Sequence, residues 1–275
     1  MSGNAVITGT THGIGLVTSR ELAKAGYTVV MLCRNLKAAS KVREDILARV
    51  PGADIRTIHC DLASLASVRE SAQEVKSSLG RIDLLINNAG RVSMRQRVSR
   101  DGFELTFATN HLGPFLLTQQ LLDRMAERSR IVTVSSRIHY QGTHDLEAAS
   151  GKQRRYDARA AYARSKLANV MHTFALARRL AATQITVNCL HPGVVASNLL
   201  PRWLRLVKPL ISPNIVDVER GARTTLYLAL SNEASGVSGR YFDENQKPQV
   251  ASAEANDVTL QEALWEASER WVMPG

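Results

Sequence analysis

The sequence predicts an α/β fold: a doubly wound parallel sheet of about seven strands, covered by helices on both faces, in a single domain. Three observations carry this expectation. Short apolar, β-branched runs alternate with longer amphipathic runs along most of the chain. A glycine-rich turn follows the first strand directly and opens a helix. No composition shift, repeat or low-complexity run divides the 275 residues.

The elements follow in order. A β-branched run at 5–8 is the first strand, and the helix after its turn reaches about residue 25. Strand 27–33 precedes helix 38–49, and strand 54–60 precedes helix 65–79. Strand 82–86 is followed by two helical segments, 103–109 and 113–128, and then by strand 131–135. A long amphipathic helix at 156–182 leads to strand 185–190, helix 219–230 and a short last strand at 239–242. Right-handed crossovers keep such strands parallel, and ligands then bind at the carboxyl ends of the strands.

Bulk properties narrow the function. The chain is 44% hydrophobic and 22% charged, enough for a substantial core. Its net charge is +10, but the basic residues are spread out, with only short clusters at 91–100 and 152–155. Aromatic residues make up 5% and form no stacking stripe, so nucleic acid is not an expected partner. The positive surplus instead favours an anionic cofactor. Cys33, Cys60 and Cys189 each end an apolar run without metal-ligand or disulfide spacing, which reads as free thiols and no metal site. No signal peptide precedes the first strand and no apolar run is long enough to span a bilayer, so a cytoplasmic location is expected.

The strand ends hold the chemistry. After the first strand comes Gly9-Thr10-Thr11-His12-Gly13-Ile14-Gly15. Glycines there let the backbone turn tightly and approach a pyrophosphate at the helix N-terminus. The second strand ends in Arg34-Asn35, where an acidic residue would suit NAD; Arg34 suits a 2′-phosphate, with His12 nearby, so NADP(H) is favoured over NAD(H). The third ends in Asp61-Leu62; Asp61 either accepts from the adenine amino group or caps the next helix. The fourth ends in Asn87-Asn88-Ala89-Gly90, small enough for close approach of a ribose, and the fifth in Ser135-Ser136. The sixth ends in the sharp turn His191-Pro192-Gly193-Val194, placed to support the nicotinamide. Tyr162 and Lys166 stand at i and i+4 on one helix face, so the ammonium is expected to lower the phenol's pKa from about 10.

Together, Thr8-Gly9-x-x-x-Gly13-x-Gly15, Asn87-Asn88-Ala89-Gly90, Asn110, Ser136, Tyr162-x-x-x-Lys166 and Pro192-Gly193 resemble the short-chain dehydrogenase/reductase family over essentially the whole chain. The resemblance implies a Rossmann-type fold, an NAD(P)(H)-dependent oxidoreductase and a catalytic tetrad of Asn110, Ser136, Tyr162 and Lys166. Tyr162 would exchange the proton with the carbonyl oxygen and Ser136 would hold that oxygen. Lys166 would tune Tyr162 and touch the nicotinamide ribose, while Asn110 would hold the active-site helix and a water. Strand alternation lets only one of Ser135 and Ser136 face the site, and the family pattern favours Ser136. The glycine turn, with Thr11, His12 and Ile14, would cradle the cofactor together with Arg34, Asn35, Asp61, Leu62, Asn88, Ala89, Gly90, Pro192, Gly193, Val195 and Ser197.

Within the family the sequence is most similar to the retinol dehydrogenase-like branch. Cys33-Arg34-Asn35, Asn110-His111-Leu112-Gly113, Ser165-Lys166-Leu167-Ala168-Asn169 and Gly236-Val237-Ser238-Gly239 carry that likeness. Two departures are the lack of an N-terminal anchor and Ser197 where a threonine is common.

The substrate is less legible. The apolar, proline-interrupted run 199–213 reads as a lid over an apolar substrate, or as a surface helix, or as a shallow membrane contact through Trp203. With 138–155 it would form the substrate-loop part of the domain, near 138–155 and 194–216. The leading expectation is an NADPH-dependent carbonyl reductase for a bulky apolar or polycyclic ketone or aldehyde. Alternatives are an alcohol or retinol-type dehydrogenase running oxidatively, or a non-catalytic NADP(H) sensor.

Overall fold

The computed structural model describes residues 3–151, 155–195 and 215–273. β1 (Asn4–Thr8), β2 (Thr28–Cys33) and β3 (Ile55–His59) alternate with α1 (Gly13–Lys24), α2 (Leu36–Arg49) and α3 (Leu65–Ser78). β4 (Ile82–Asn87) leads through α4 (Leu105–Phe107), a π-helical turn (Ala108–Leu112) and α5 (Gly113–Leu121) to β5 (Met125–Val134). A 3-10 turn (Arg137–Gln141), the short α6 (Leu146–Ala149) and the long α7 (Ala158–Arg179) follow. Then come β6 (Thr186–Leu190), a small ribbon of β7 (Val194–Val195) with β8 (Ile215–Val216), and α8 (Val218–Leu230). β9 (Arg240–Phe242), β10 (Pro248–Gln249), α9 (Ala253–Asn256) and α10 (Val258–Val272) complete the described chain.

The main sheet has eight strands in the order β10-β9-β6-β5-β4-β1-β2-β3. Every pairing is parallel except that of β10 on β9, so the parallel part has the strand number expected from the sequence. The chain winds outward from β1 to β3, then returns to the other side of β1 with β4. That reversal opens a crevice above the carboxyl ends of β1 and β4, the place where open α/β sheets bind ligands. The strands are apolar almost throughout because both faces are covered. Their side chains alternate between two cores: Val6 packs with Phe115, Leu167 and Met171 on one face, and Ile7 with Leu22, Ile46 and Leu228 on the other.

Several boundaries differ from the sequence reading, each for a tertiary reason. The helices expected at 103–109 and 113–128 form one rod through the π turn. Its α-helical part ends at Leu121, a 3-10 turn carries it to Arg124, and β5 begins at Met125, which pairs with Ile82. The register then shifts, and Arg130 pairs with Leu84. α7 starts at Ala158, not at 156, because Asp157 caps it, accepting from Arg159 N at 2.7 Å and Ala160 N at 3.1 Å. Tyr156 lies outside the helix and donates its hydroxyl to the Ser93 carbonyl at 2.6 Å. α10 was not foreseen; it lays Leu264 and Trp265 against Phe115 and His172, and so covers one side of α7 within the same chain.

Candidate functional site

A cleft of about 400 Å³ opens at the switch point. The turn after β1 supplies Gly9, His12, Gly13, Ile14 and Gly15, and the segment after β4 supplies Asn88, Ala89, Gly90 and Val92. Val134, Ser135 and Ser136 come from the end of β5, Tyr162 and Lys166 from α7, and His191, Pro192, Gly193 and Val194 from the turn after β6. Most of the residues singled out in the sequence thus converge on one opening.

The glycine turn is shaped by backbone demands. Gly9 and Gly13 hold φ of +73° and +62°, a region that penalises any side chain. A Cβ on Gly15 would lie 2.3 Å from the Gly9 carbonyl oxygen, so the helix can start here only without one. A Cβ on Gly13 would meet nothing within 4 Å, since that side faces the opening. α1 begins with no side-chain cap and no acidic residue in its first turn. Its first amide N–H groups therefore lack partners within the helix and form a site for an anion. These residues fit a dinucleotide pyrophosphate. The turn is tied to β4 by Asn88, whose Nδ2 donates to the carbonyls of Thr8 (2.9 Å) and Gly9 (3.1 Å). Thr8 Oγ1 accepts in return from the backbone N–H of Asn88 and of Ala89, both at 3.0 Å.

On the far side of the cleft, Ser135 and Ser136 divide their roles. Ser135 Oγ donates to the Lys166 carbonyl at 2.8 Å and pins α7 to β5. Ser136 Oγ accepts from Ile138 N at 3.3 Å, capping the 3-10 turn, and stands beside the Tyr162 phenol, whose ionised form it favours. The loop after Ser136 lies tight on α7: a Cβ on Gly142 would be 2.6 Å from the Ala163 carbonyl oxygen. Only glycine allows that approach of the loop to α7.

The electrostatics correct one expectation. Burial pushes the Tyr162 phenol up to about 12, with the Ser136 hydrogen bond pulling the other way. Lys166 does not lower it in this geometry. Its Nζ donates to the Val134 carbonyl at 2.8 Å and lies 5.6 Å from the centre of the Tyr162 ring. Burial lowers the Lys166 ammonium to about 8, so it remains largely charged at neutral pH. The i, i+4 spacing brings the pair together, but the carbonyl directs the ammonium and desolvation dominates the phenol.

Asn110 sits in the π turn, 1% exposed. Its Oδ1 accepts from Arg91 N at 2.8 Å, and its Nδ2 donates to the Arg91 carbonyl at 3.0 Å and to Ser165 Oγ at 2.9 Å. It holds the segment after β4 and α7 together, and both amide protons are spent doing so.

Other expected contacts lie outside this opening. Asn35 caps α2, accepting from Ala38 N at 3.0 Å, so its side chain serves the helix. Asp61 accepts from Ala63 N at 3.1 Å within the turn, and the helix cap expected of it belongs instead to Ser64, which accepts from Ser67 N. Leu62 is buried in the core, with its carbonyl against Gly113. Thr11 pairs with His12 Nδ1 at 3.1 Å, and Arg34 is exposed at the end of β2. Val195 follows the cleft turn in β7. Ser197 and the run 199–213 lie outside the described residues. His139 and His144 line no part of the cleft; His139 instead contacts the Ser136 carbonyl through Nδ1 at 2.8 Å. Val92 and Val134 were missed as cleft walls, although their places just after β4 and at the end of β5 pointed to them. Arg91 and Gly142 were missed because their roles come from tertiary contacts. Among the described residues no group of three metal-ligating side chains occurs, and no helix is long and apolar enough to cross a membrane.

Known proteins are similar to this chain in sequence and fold. The family model for short chain dehydrogenases matches residues 3–205. The chain is 37% identical to retinol dehydrogenase 13 of Homo sapiens over 277 residues, which cover 97% of this chain and 83% of that one. It is 40% identical to retinol dehydrogenase 14 of Mus musculus over 288 residues, 98% of this chain and 86% of the relative. Among solved structures, an uncharacterized protein from Mycobacterium paratuberculosis superposes with a TM-score of 0.80 at 33% identity, covering 98% of this chain and 93% of that one. A metagenomic blue fluorescent protein in complex with NADPH gives 0.70 at 28% identity, covering 88% and 95%.

Proposed function

The chain belongs to the short-chain dehydrogenase/reductase family, in its retinol dehydrogenase-like branch, and from that premise we propose that it is an NADPH-dependent carbonyl reductase for a bulky apolar ketone or aldehyde. The observation that carries this reading is the convergence of Ser136, Tyr162, Lys166 and the glycine turn on one cleft. When bound, the nicotinamide supplies or accepts the hydride. The protein's part is to place the carbonyl and to move a proton. Ser136 holds the carbonyl oxygen, and Tyr162 delivers its proton to that oxygen. Lys166, anchored on Val134 and lining the same cleft, is placed to hold the nicotinamide ribose. Asn110 fixes α7 through Ser165.

Reduction is the favoured direction because cells keep NADPH largely reduced, and a buried, protonated Tyr162 can supply the proton that a reduction needs. Val92, Val134 and Val194 give the cleft apolar walls, which suits an apolar substrate. Arg34 at the end of β2, where an acidic residue would select NAD, supports the 2′-phosphate cofactor, and NADPH in the complex of a structural relative agrees with it. A cytoplasmic location completes the reading. The second reading is oxidation of a retinol-type alcohol by the same residues, favoured by the names of the relatives.

The test is NADPH consumption with a panel of aldehydes and ketones, retinal included, and NADP+ reduction with the matching alcohols. Tyr162→Phe should lower turnover about 10²- to 10⁴-fold while NADPH binding persists. Near-normal turnover in the variant would reject the mechanism.

A further inference from the structure

We propose that Arg91 is a second ligand for the phosphate on the cofactor's adenosine ribose, meeting Arg34 from the opposite side of the glycine turn. The inference rests on the NADP(H) reading above and names a residue that the motifs do not.

Arg91 directly follows the Asn88–Gly90 turn, between Gly90 and Val92, which both line the cleft. Asn110 clamps its peptide groups on both sides, through the N–H at 2.8 Å and the carbonyl at 3.0 Å. The backbone is therefore fixed, and the side chain leaves from a rigid base. That side chain is half-buried, and its Nε is buried without a hydrogen-bond partner. A buried charged donor left unpaired is costly, which points to a group that completes it. Among the described residues neither Arg91 nor Arg34 forms an ion pair.

The sheet order brings the two guanidinium groups together. β2 and β4 flank β1, and strands lie about 4.8 Å apart, so the ends of β2 and β4 stand about 10 Å apart with the glycine turn between them; Arg34 directly follows β2, and Arg91 follows the short turn after β4. Two arginine side chains span that gap readily. Arg91 feels the charges of Arg34, Asp61, Arg97 and Glu104. Arg34 and Asp61 follow β2 and β3, the half of the sheet away from Ser136 and Tyr162, so the guanidinium lies toward the adenosine end rather than the nicotinamide end. The two carboxylates are already committed. Glu104 accepts from Thr106 N at 2.8 Å and Phe107 N at 2.7 Å, and Asp61 accepts from Ala63 N at 3.1 Å. The region is left with a surplus of positive charge, held in place against its own repulsion. A phosphate dianion relieves that repulsion and supplies acceptors to both forks. The pyrophosphate is served separately, by the N-terminus of α1.

The experiment is calorimetric titration of the whole protein with adenosine 2′,5′-bisphosphate and with 5′-AMP, which differ only in the 2′-phosphate. Wild type should prefer the bisphosphate. Arg91→Met should weaken bisphosphate binding about 10- to 100-fold while changing 5′-AMP binding less than about threefold, and Arg91→Lys should keep part of the preference. A wild-type preference that Arg91→Met leaves intact would overturn the role of Arg91 and leave the NADP(H) reading standing. Equal loss of both ligands would overturn it as well, by assigning Arg91 to the adenine or to the fold. No preference in wild type would remove the NADP(H) reading and this proposal together.

Discussion

Lowering the pH from 7 to 5 should cost this fold about 2 kcal/mol at His172 alone. His172 is 5% exposed on α7, stacked on Trp265 of α10 at 5.6 Å between ring centres and packed against Phe115 at 5.1 Å. Burial, helped by the charge of Arg179, depresses its pKa to about 4. In the unfolded chain the imidazole titrates near 6.5. Above that value it is neutral in both states and contributes no pH dependence. As the pH falls through 6.5 the unfolded chain takes up a proton that the folded chain refuses, so stability is lost progressively down to about pH 4. The full loss is about 3 kcal/mol, from about 1.4 kcal/mol per pKa unit. The assay is urea unfolding followed by far-UV circular dichroism at pH 7 and pH 5, for wild type and for His172→Phe. Phenylalanine keeps a ring against Trp265 but cannot titrate. His191, also depressed to about 4, remains in both proteins and cancels from the comparison. The variant should lose about 2 kcal/mol less than wild type between the two pH values. Parallel losses in the two proteins would refute the argument.

Three further outcomes are expected. Arg34→Asp should move cofactor preference from NADP(H) toward NAD(H), and an unchanged ratio of the two affinities would reject the 2′-phosphate assignment. Ser136→Ala should cut turnover steeply with only the small loss of melting temperature expected from its cap on Ile138 N, whereas Ser135→Ala should mainly lower the melting temperature, because it frees the Lys166 carbonyl from its bond to β5; kinetics and thermal melts on both variants decide between the two serines. Gly142→Ala should lower turnover at unchanged NADPH affinity, since its Cβ would meet α7 at 2.6 Å and push the Ser136 loop away from Tyr162; equal effects on turnover and NADPH binding would show a general loss of structure.

What the sequence disclosed and what it withheld divide along a physical line. The glycine turn was legible because positive φ and close backbone approach leave glycine as the residue of choice at Gly9, Gly13 and Gly15. Tyr162 and Lys166 were legible as neighbours because helical spacing alone sets their common face. Their electrostatics were not, because the Val134 carbonyl that draws the ammonium comes from a strand 32 residues away in sequence. The cap at Asn35 has a local signal, since an asparagine just before a helical run is a common N-cap. The end of α5 was misplaced because β5 claims Met125 through pairing with Ile82, a partner that no local pattern reveals. Arg91 looked like one more basic residue in the cluster 91–100; only the clamp from Asn110 sets it apart.

That clamp also explains why the π turn lies where it does. An α-helical continuation from α4 into α5 would keep the tighter backbone spacing, whereas the wider turn at Ala108–Leu112 marks a local departure of the kind common at functional sites. Asn110 uses its position there to reach two structures at once: the segment that follows β4, through Arg91, and α7, through Ser165. Ser165 in turn donates to the Tyr162 carbonyl at 2.7 Å, and Ser135 ties the Lys166 carbonyl to β5. One asparagine therefore links the segment carrying Arg91 with the helix carrying Tyr162 and Lys166. In the proposed reading these are the two ends of the cofactor, and a rigid link between them is what hydride transfer requires: once the adenosine end is seated, the distance from the nicotinamide to the phenol is set by the protein and not by the flexible dinucleotide.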